Sequence, residues 1–266
     1  MKTSHFYLGA LVCSVIIVPI TGCYTSVRQH PDFLERRGEI NKVAIMPVES
    51  EIVLIKLDGQ EPIEKEQERV CCVAPDCITE KLQKQGFDVI NKCNMDEDNE
   101  MDTDLRFQVT QIRRNLKEKV NEMYKPLMMD KKKALAYECS LGSEINVLTD
   151  YTDADALLFT NISGFRKDGG EVAKDLAIAF VFGAMAPWSG AAYYAVLVDG
   201  TTGDILWANA GSSPYSGFEE KDIKQMVSDI FKEFPEIEES KSKTALSTGP
   251  PEVKDKSTYL MSSEGS

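Results

Sequence analysis

Histidine is the scarcest chemical resource in this sequence: 2 occur among 266 residues, His5 and His30. His5 falls in a leading segment read below as cleaved, and His30 in a segment read as a tether. The folded domain is therefore expected to hold no histidine. That excludes Ser-His-Asp and Cys-His catalysis and the usual histidine-based zinc and iron sites. No apolar run approaches the ~20 residues that a membrane-spanning helix needs. Neither a glycine-rich phosphate loop nor a nucleophile elbow is present. Positive charge is also short, with 30 Lys and Arg against 43 Asp and Glu and a net charge of -13. This argues against nucleic acid and against broad binding to anionic lipid, although solubility alone also accounts for it. Cys71, Cys72 and Cys77 form no CxxC pair, so a metal site is not expected there. No cofactor, no metal and no enzymatic activity are expected.

The N-terminus carries the clearest signal. Lys2 is followed by an apolar run from Phe6 to Val18, then Pro19-Ile-Thr-Gly-Cys23. The run suits the apolar region of a secretory signal. Ile20-Thr-Gly-Cys23 resembles the lipobox of bacterial lipoproteins: an aliphatic residue, a small residue, Gly or Ala, then Cys. In that family the thiol takes a diacylglyceryl group and the chain is cut just before it. The resemblance implies a signal peptide at 1–22 and lipidation of Cys23. One acyl chain anchors only marginally, at ~0.8 kcal/mol per buried CH2, whereas two or three, palmitate among them, hold permanently. Tyr24, rather than the Asp that retains such proteins at the inner membrane, implies the outer membrane, with the domain on its periplasmic side. Loss of Lys2 moves the net charge from -13 to -14.

Residues 23–38, polar with Pro31 inside, read as the lipidated N-terminus and its tether. Residues 39–236 read as one domain, and 237–266, rich in Ser, Lys, Glu, Thr and Pro, as a disordered tail. The β-branched run Lys42–Val48 predicts a buried strand ended by Pro47, and Glu51–Leu57 a second ended by Asp58-Gly59. Glu64–Gln85 predicts a helix that Pro75 either breaks or opens, with Gly86 as its cap. Phe87–Ile90 follows as a strand and 94–104 as an acidic loop. Leu105, Val109, Ile112, Leu116, Val120 and Met123 mark an amphipathic helix. A second helix is expected to carry Leu135, Leu141, Ile145 and Leu148. Asp155–Ile162 predicts a buried strand. Ala192–Val198 and Asp204–Ala208 form a hairpin around Gly200-Thr-Thr-Gly203. Ile223, Val227, Ile230, Phe231 and Phe234 line a last helix. Early alternation of strands and helices with a closing β-hairpin gives an α/β (α+β) fold with a mixed sheet flanked by helices.

Beyond Cys13 and Cys23, five cysteines remain, an odd number that leaves at least one unpaired within the chain. A strand advances ~3.3 Å per residue and a helix ~1.5 Å. The helix before Gly86 and the strand after it therefore place Cys71 and Cys72 level with Cys93. A disulfide from Cys93 to Cys72 or Cys71 is expected in an oxidising periplasm; the alternative is that all five are small buried apolar residues.

Four stretches share one further likeness. Lys42–Val48 is similar to the "VAVLPF" first strand of TolB amino-terminal-like domains. Gly86–Ile90 resembles their "GYxVV", Ala154–Thr160 their "GADAVLVG" and Val196–Trp207 their hairpin "LVDAxTGxxLW". The resemblance covers roughly Ile40 to Phe234. It spans a broad group of envelope lipoproteins that includes curli-secretion-type lipoproteins and activators of penicillin-binding proteins, and it implies the fold. The group is mostly non-enzymatic, so Asp199, Gly203 and Trp207 are read as shaping and packing a hairpin.

Leu176–Trp188 departs from that pattern, with 13 residues free of charge. It is either a buried element or an apolar surface for a membrane or a partner, through Phe180, Phe182, Met185 and Trp188. The run does not alternate polar and apolar residues, which counts against a pore-forming hairpin. The expected function is a non-enzymatic interaction or assembly module of the envelope, anchored in the bilayer through Cys23, with an unidentified protein partner. An oligomeric structural or secretion-channel subunit is the alternative. A carboxylate-based hydrolase is more remote, since no Asp or Glu pair is marked.

Overall fold

In a computed structural model of the chain, the described residues are 24–92, 103–124, 137–173, 189–213 and 217–235. All but Pro235 belong to one compact unit that ends at Phe234.

The run Lys42-Val-Ala-Ile45 forms strand β2, and Ala156–Lys167 forms the long strand β6. They lie parallel, with Val43 opposite Ala156 and Ile45 opposite Leu158. Pro47 has no N–H to give a ladder, and β2 ends before it. The chain then resumes on the same edge of β6 as β3 (Glu49–Lys56), from Glu49 opposite Asn161 to Ile55 opposite Lys167. A strand β1 (Tyr24–Gln29) also forms, before β2 in the chain. β4 (Gly59–Pro62) folds back antiparallel on β3, and β5 (Asp88–Asn91) lies parallel to β2. On the other side β7 (Ser189–Asp199) and β8 (Ile205–Ser213) continue antiparallel, and β1 pairs with β8. The order is β1-β8-β7-β6-β2-β5, with β3 and β4 branching from the far half of β6. Eight strands among the described residues thus form the expected mixed sheet.

Side chains alternate across a strand, so Val43 and Ile45 enter one core while Ala44 and Met46 enter the other. Helices α1 (Phe33–Arg37), α2 (Glu64–Lys84) and α5 (Glu220–Phe231) contribute to the first core. Helices α3 (Thr103–Tyr124) and α4 (Asn146–Thr152) cover the second. Val109, Ile112, Leu116, Val120 and Met123 of α3 are all buried, as their spacing requires. In β8 a register shift lets Leu206 and Trp207 both face the first core. This is a β-bulge, where two neighbouring residues oppose one. It seats Trp207 against Phe231, stacked at 5.7 Å, and Phe234, edge-on at 4.8 Å. α2 ends on Gly86 at φ +84°, with the Phe87 amide donating to Leu82 O and the Gly86 amide to Gln83 O. That is a Schellman cap, which places Phe87 back on the helix face.

The structure corrects several expectations. Residues 24–38 are no tether: Tyr24–Gln29 is a full strand on β8, and α1 is packed through Phe33, which is fully buried. His30 therefore belongs to the folded unit. Its amide donates to Leu206 O and its Nδ1 accepts from the Asp32 amide. Pro75 neither breaks nor opens α2, which runs through it. The stripe Val70, Ala74, Ile78 and Leu82 is fully buried and holds the helix to the sheet across the missing hydrogen bond. Leu141 precedes its expected helix and lies in an extended stretch whose neighbour Ser140 bridges Asp204; Leu135 lies outside the described residues. β4 went unforeseen because Gly-Gln-Glu-Pro carries no β-branched or aromatic side chain and every residue is exposed.

Candidate functional site

Of the residues expected to carry function, Cys23, Cys93, Phe180, Phe182, Met185 and Trp188 lie outside the described residues. The acidic stretch before Thr103 and the tail from 236 do too. Cys72 is described, and it is a free, exposed thiol, as is Cys71. Their expected partner, Cys93, lies outside the described residues. Residues advance ~100° around a helix. With Val70 facing the sheet, Cys72 points to the far side, while Cys71 donates to Val48 O at 3.3 Å.

The ladders nonetheless fix where those segments attach. Tyr24 pairs with Ser212, Ser212 with Ala192, Ala192 with Ser163, and Ser163 with Glu51. Continuing that row outward leads to Cys23 before β1, to the end of β6 at Lys167 and to the start of β7 at Ser189. The connection that contains Leu176–Trp188 thus leaves and re-enters the fold at the edge to which Cys23 is joined. The β3–β4 turn lies at this edge as well, since Ile55 is level with Lys167. Leu57 in that turn is 66% exposed.

Beneath this edge the packing is specialised. Gly164 leaves room for the Phe218 ring, because a Cβ there would fall 2.1 Å from it. Phe218 is fully buried at φ +45°. Arg69 donates to Phe218 O and pairs with Glu219. Buried Glu66 pairs with Arg166. Burial raises the Glu66 carboxyl above the usual range, and Arg166 and Arg69 offset this only in part.

The opposite edge holds the Asp199-Gly-Thr-Thr-Gly203 hairpin tip. Asp199 Oδ1 accepts from the amides of Thr201 and Thr202 at 2.9 and 2.8 Å. Arg36 of α1 reaches Asp199 at 2.7 Å and Asp204 at 2.8 Å. Burial alone would raise both carboxyls. Amide hydrogen bonds and Arg36 overcome it at Asp199, and Arg36, Thr202 and Ser140 overcome it at Asp204, so both sit below the ordinary range. Gly203 at φ +74° lies so close to Gly142 that a Cβ would be 2.1 Å from its oxygen. Arg37, buried and stacked on Phe87 at 3.5 Å, donates to Gln85 O at the end of α2. Asp155 accepts from the amides of Asn41 and Lys42. These carboxylates are occupied in holding turns. A shallow groove of about 850 Å³ runs along α3, with Phe107, Gln111, Arg114 and Glu118 in its lining.

Among the described residues, no group of three or more His, Cys, Asp or Glu is placed to hold a metal ion. No helix there is long and apolar enough to cross a membrane.

The chain matches no family model and no curated protein. Among solved structures it is similar to a PelC dodecamer subunit from Paraburkholderia phytofirmans, at 9% identity and TM-score 0.37, over 79% of this chain and 95% of that one. It is similar to lipoprotein GNA1162 from Neisseria meningitidis, at 12% identity and TM-score 0.31, over 73% and 99%. A third likeness is to the LpoB C-terminal domain from Salmonella enterica, at 10% identity and TM-score 0.22, over 71% and 96%.

Proposed function

We propose that this chain is a lipid-anchored, non-enzymatic interaction module of the bacterial envelope, held at the outer membrane by acyl chains on Cys23. One observation carries the reading: the lipobox Ile20-Thr-Gly-Cys23 runs straight into β1, a strand of the sheet. An anchor joined to a sheet edge without a spacer fixes how the domain is presented. β6 ends and β7 begins at that same edge, and the uncharged run Leu176–Trp188 lies between them in the sequence; its Phe180, Phe182, Met185 and Trp188 are the candidate contacts for an envelope partner. Asp155, Asp199 and Asp204 are engaged in turns at the other edge.

The test is fractionation of cells that express wild type or Cys23→Ser, followed by cross-linking of the wild type in place. Wild type should float with outer membranes and give a discrete cross-linked adduct, while the variant stays soluble. Identical fractionation of the two, or turnover of peptidoglycan fragments by the purified chain, would contradict the proposal.

A further inference from the structure

The β3–β4 turn stands beyond the row to which Tyr24, the residue bonded to Cys23, belongs. Tyr24 is level with Glu51 of β3. Leu57 lies six residues beyond Glu51, about 20 Å at ~3.3 Å per residue. Consecutive Cα atoms are only ~3.8 Å apart, so the peptide between Cys23 and Tyr24 cannot lift the domain clear of its anchor. The outer ribbon has the composition for contact with lipid. Val53, Leu54 and Ile55 are only partly buried, and the turn presents Leu57 openly. Lys56 pairs with Glu61 across the ribbon, and Asp58 and Asp168 lie close to the same ammonium group.

We infer that the β3–β4 turn, with Leu57 at its tip, rests in the phospholipid surface to which Cys23 is anchored. This rests on the lipid-anchor reading. The fold supplies a matched control. Leu34 of α1 is 65% exposed, nearly the same as Leu57, but belongs to the helix that holds the opposite edge.

The experiment uses full-length, membrane-purified protein carrying Trp188→Phe, so that buried Trp207 is the native tryptophan that remains. Leu57→Trp or Leu34→Trp is added, and each protein is reconstituted in phosphatidylethanolamine–phosphatidylglycerol vesicles with or without brominated chains. Leu57→Trp should lose emission to the brominated lipid, while Leu34→Trp keeps it. Equal quenching of the two, or none at Leu57→Trp in protein whose intact mass includes the lipid, overturns the inference and leaves the anchor standing. A Leu57→Trp emission shift that depends on protein concentration but not on lipid assigns the turn to a second copy and also overturns it. Protein without lipid mass overturns both readings.

Discussion

At the Asp199–Gly203 edge, carboxylates, amides and guanidinium groups close on one another, and Arg36 of helix α1 locks the hairpin. At the Leu57 edge the strands run past the core and an apolar side chain stands in solvent. Both edges cap the same strands. The first is saturated internally, so substitutions there should change folding. The second leaves apolar groups unused, so substitutions there should change what the domain touches.

Five substitutions, from the largest expected effect to the smallest, break or sharpen that contrast. Trp207→Ala empties the aromatic cluster with Phe231 and Phe234 and should cost about 4 kcal/mol, read as a lower urea midpoint. Gly203→Ala places a methyl group against Gly142 O at a positive φ and should cost about 3 kcal/mol in the same titration. Arg36→Ala removes the cation shared by Asp199 and Asp204 and should cost about 1–2 kcal/mol, because the cluster is partly open to water. Its pH signature is specific. Both carboxyls lie below 3.8 when folded, so their stabilisation is complete above that value and is lost as pH falls through the folded values. The variant should lose part of this acid sensitivity, as shown by thermal melts across the acid range. Buried Glu66 at the other edge has the opposite sign: its raised carboxyl opposes folding as pH rises through the carboxylate range. Leu57→Ser should shift stability by no more than about 0.5 kcal/mol yet weaken contact with vesicles. Leu34→Ser should leave both unchanged.

Most of the architecture was legible because its signals are local. A continuous apolar run gave β6, the Gly200-Thr-Thr-Gly203 turn gave β7 and β8, three- and four-residue spacing gave α3 and α5, and Gly86 marked the end of α2. β1 was missed because Tyr-Thr-Ser-Val-Arg-Gln reads as polar. Its place is secured by the ladder to β8 and by buried Arg28, which lies over the Tyr124 ring at 5.1 Å, contacts that local sequence does not display. Misreading β1 as a tether also removed His30 and Arg36 from the domain. Matching heights along helix and strand takes no account of rotation around the helix, which turns Cys72 away from the sheet. The hairpin around Gly203 was read as structural from its residues, but its long-range partner, Arg36, had no sequence signal. Cys23 and the run Leu176–Trp188 were marked by sequence; that they attach to one edge follows only from the ladder register.

The most direct measurement is the intact mass of the mature chain extracted from membranes. The account predicts a chain that begins at Cys23 and carries the added mass of two or three acyl groups. A chain of unmodified mass, or one that begins elsewhere, would contradict it.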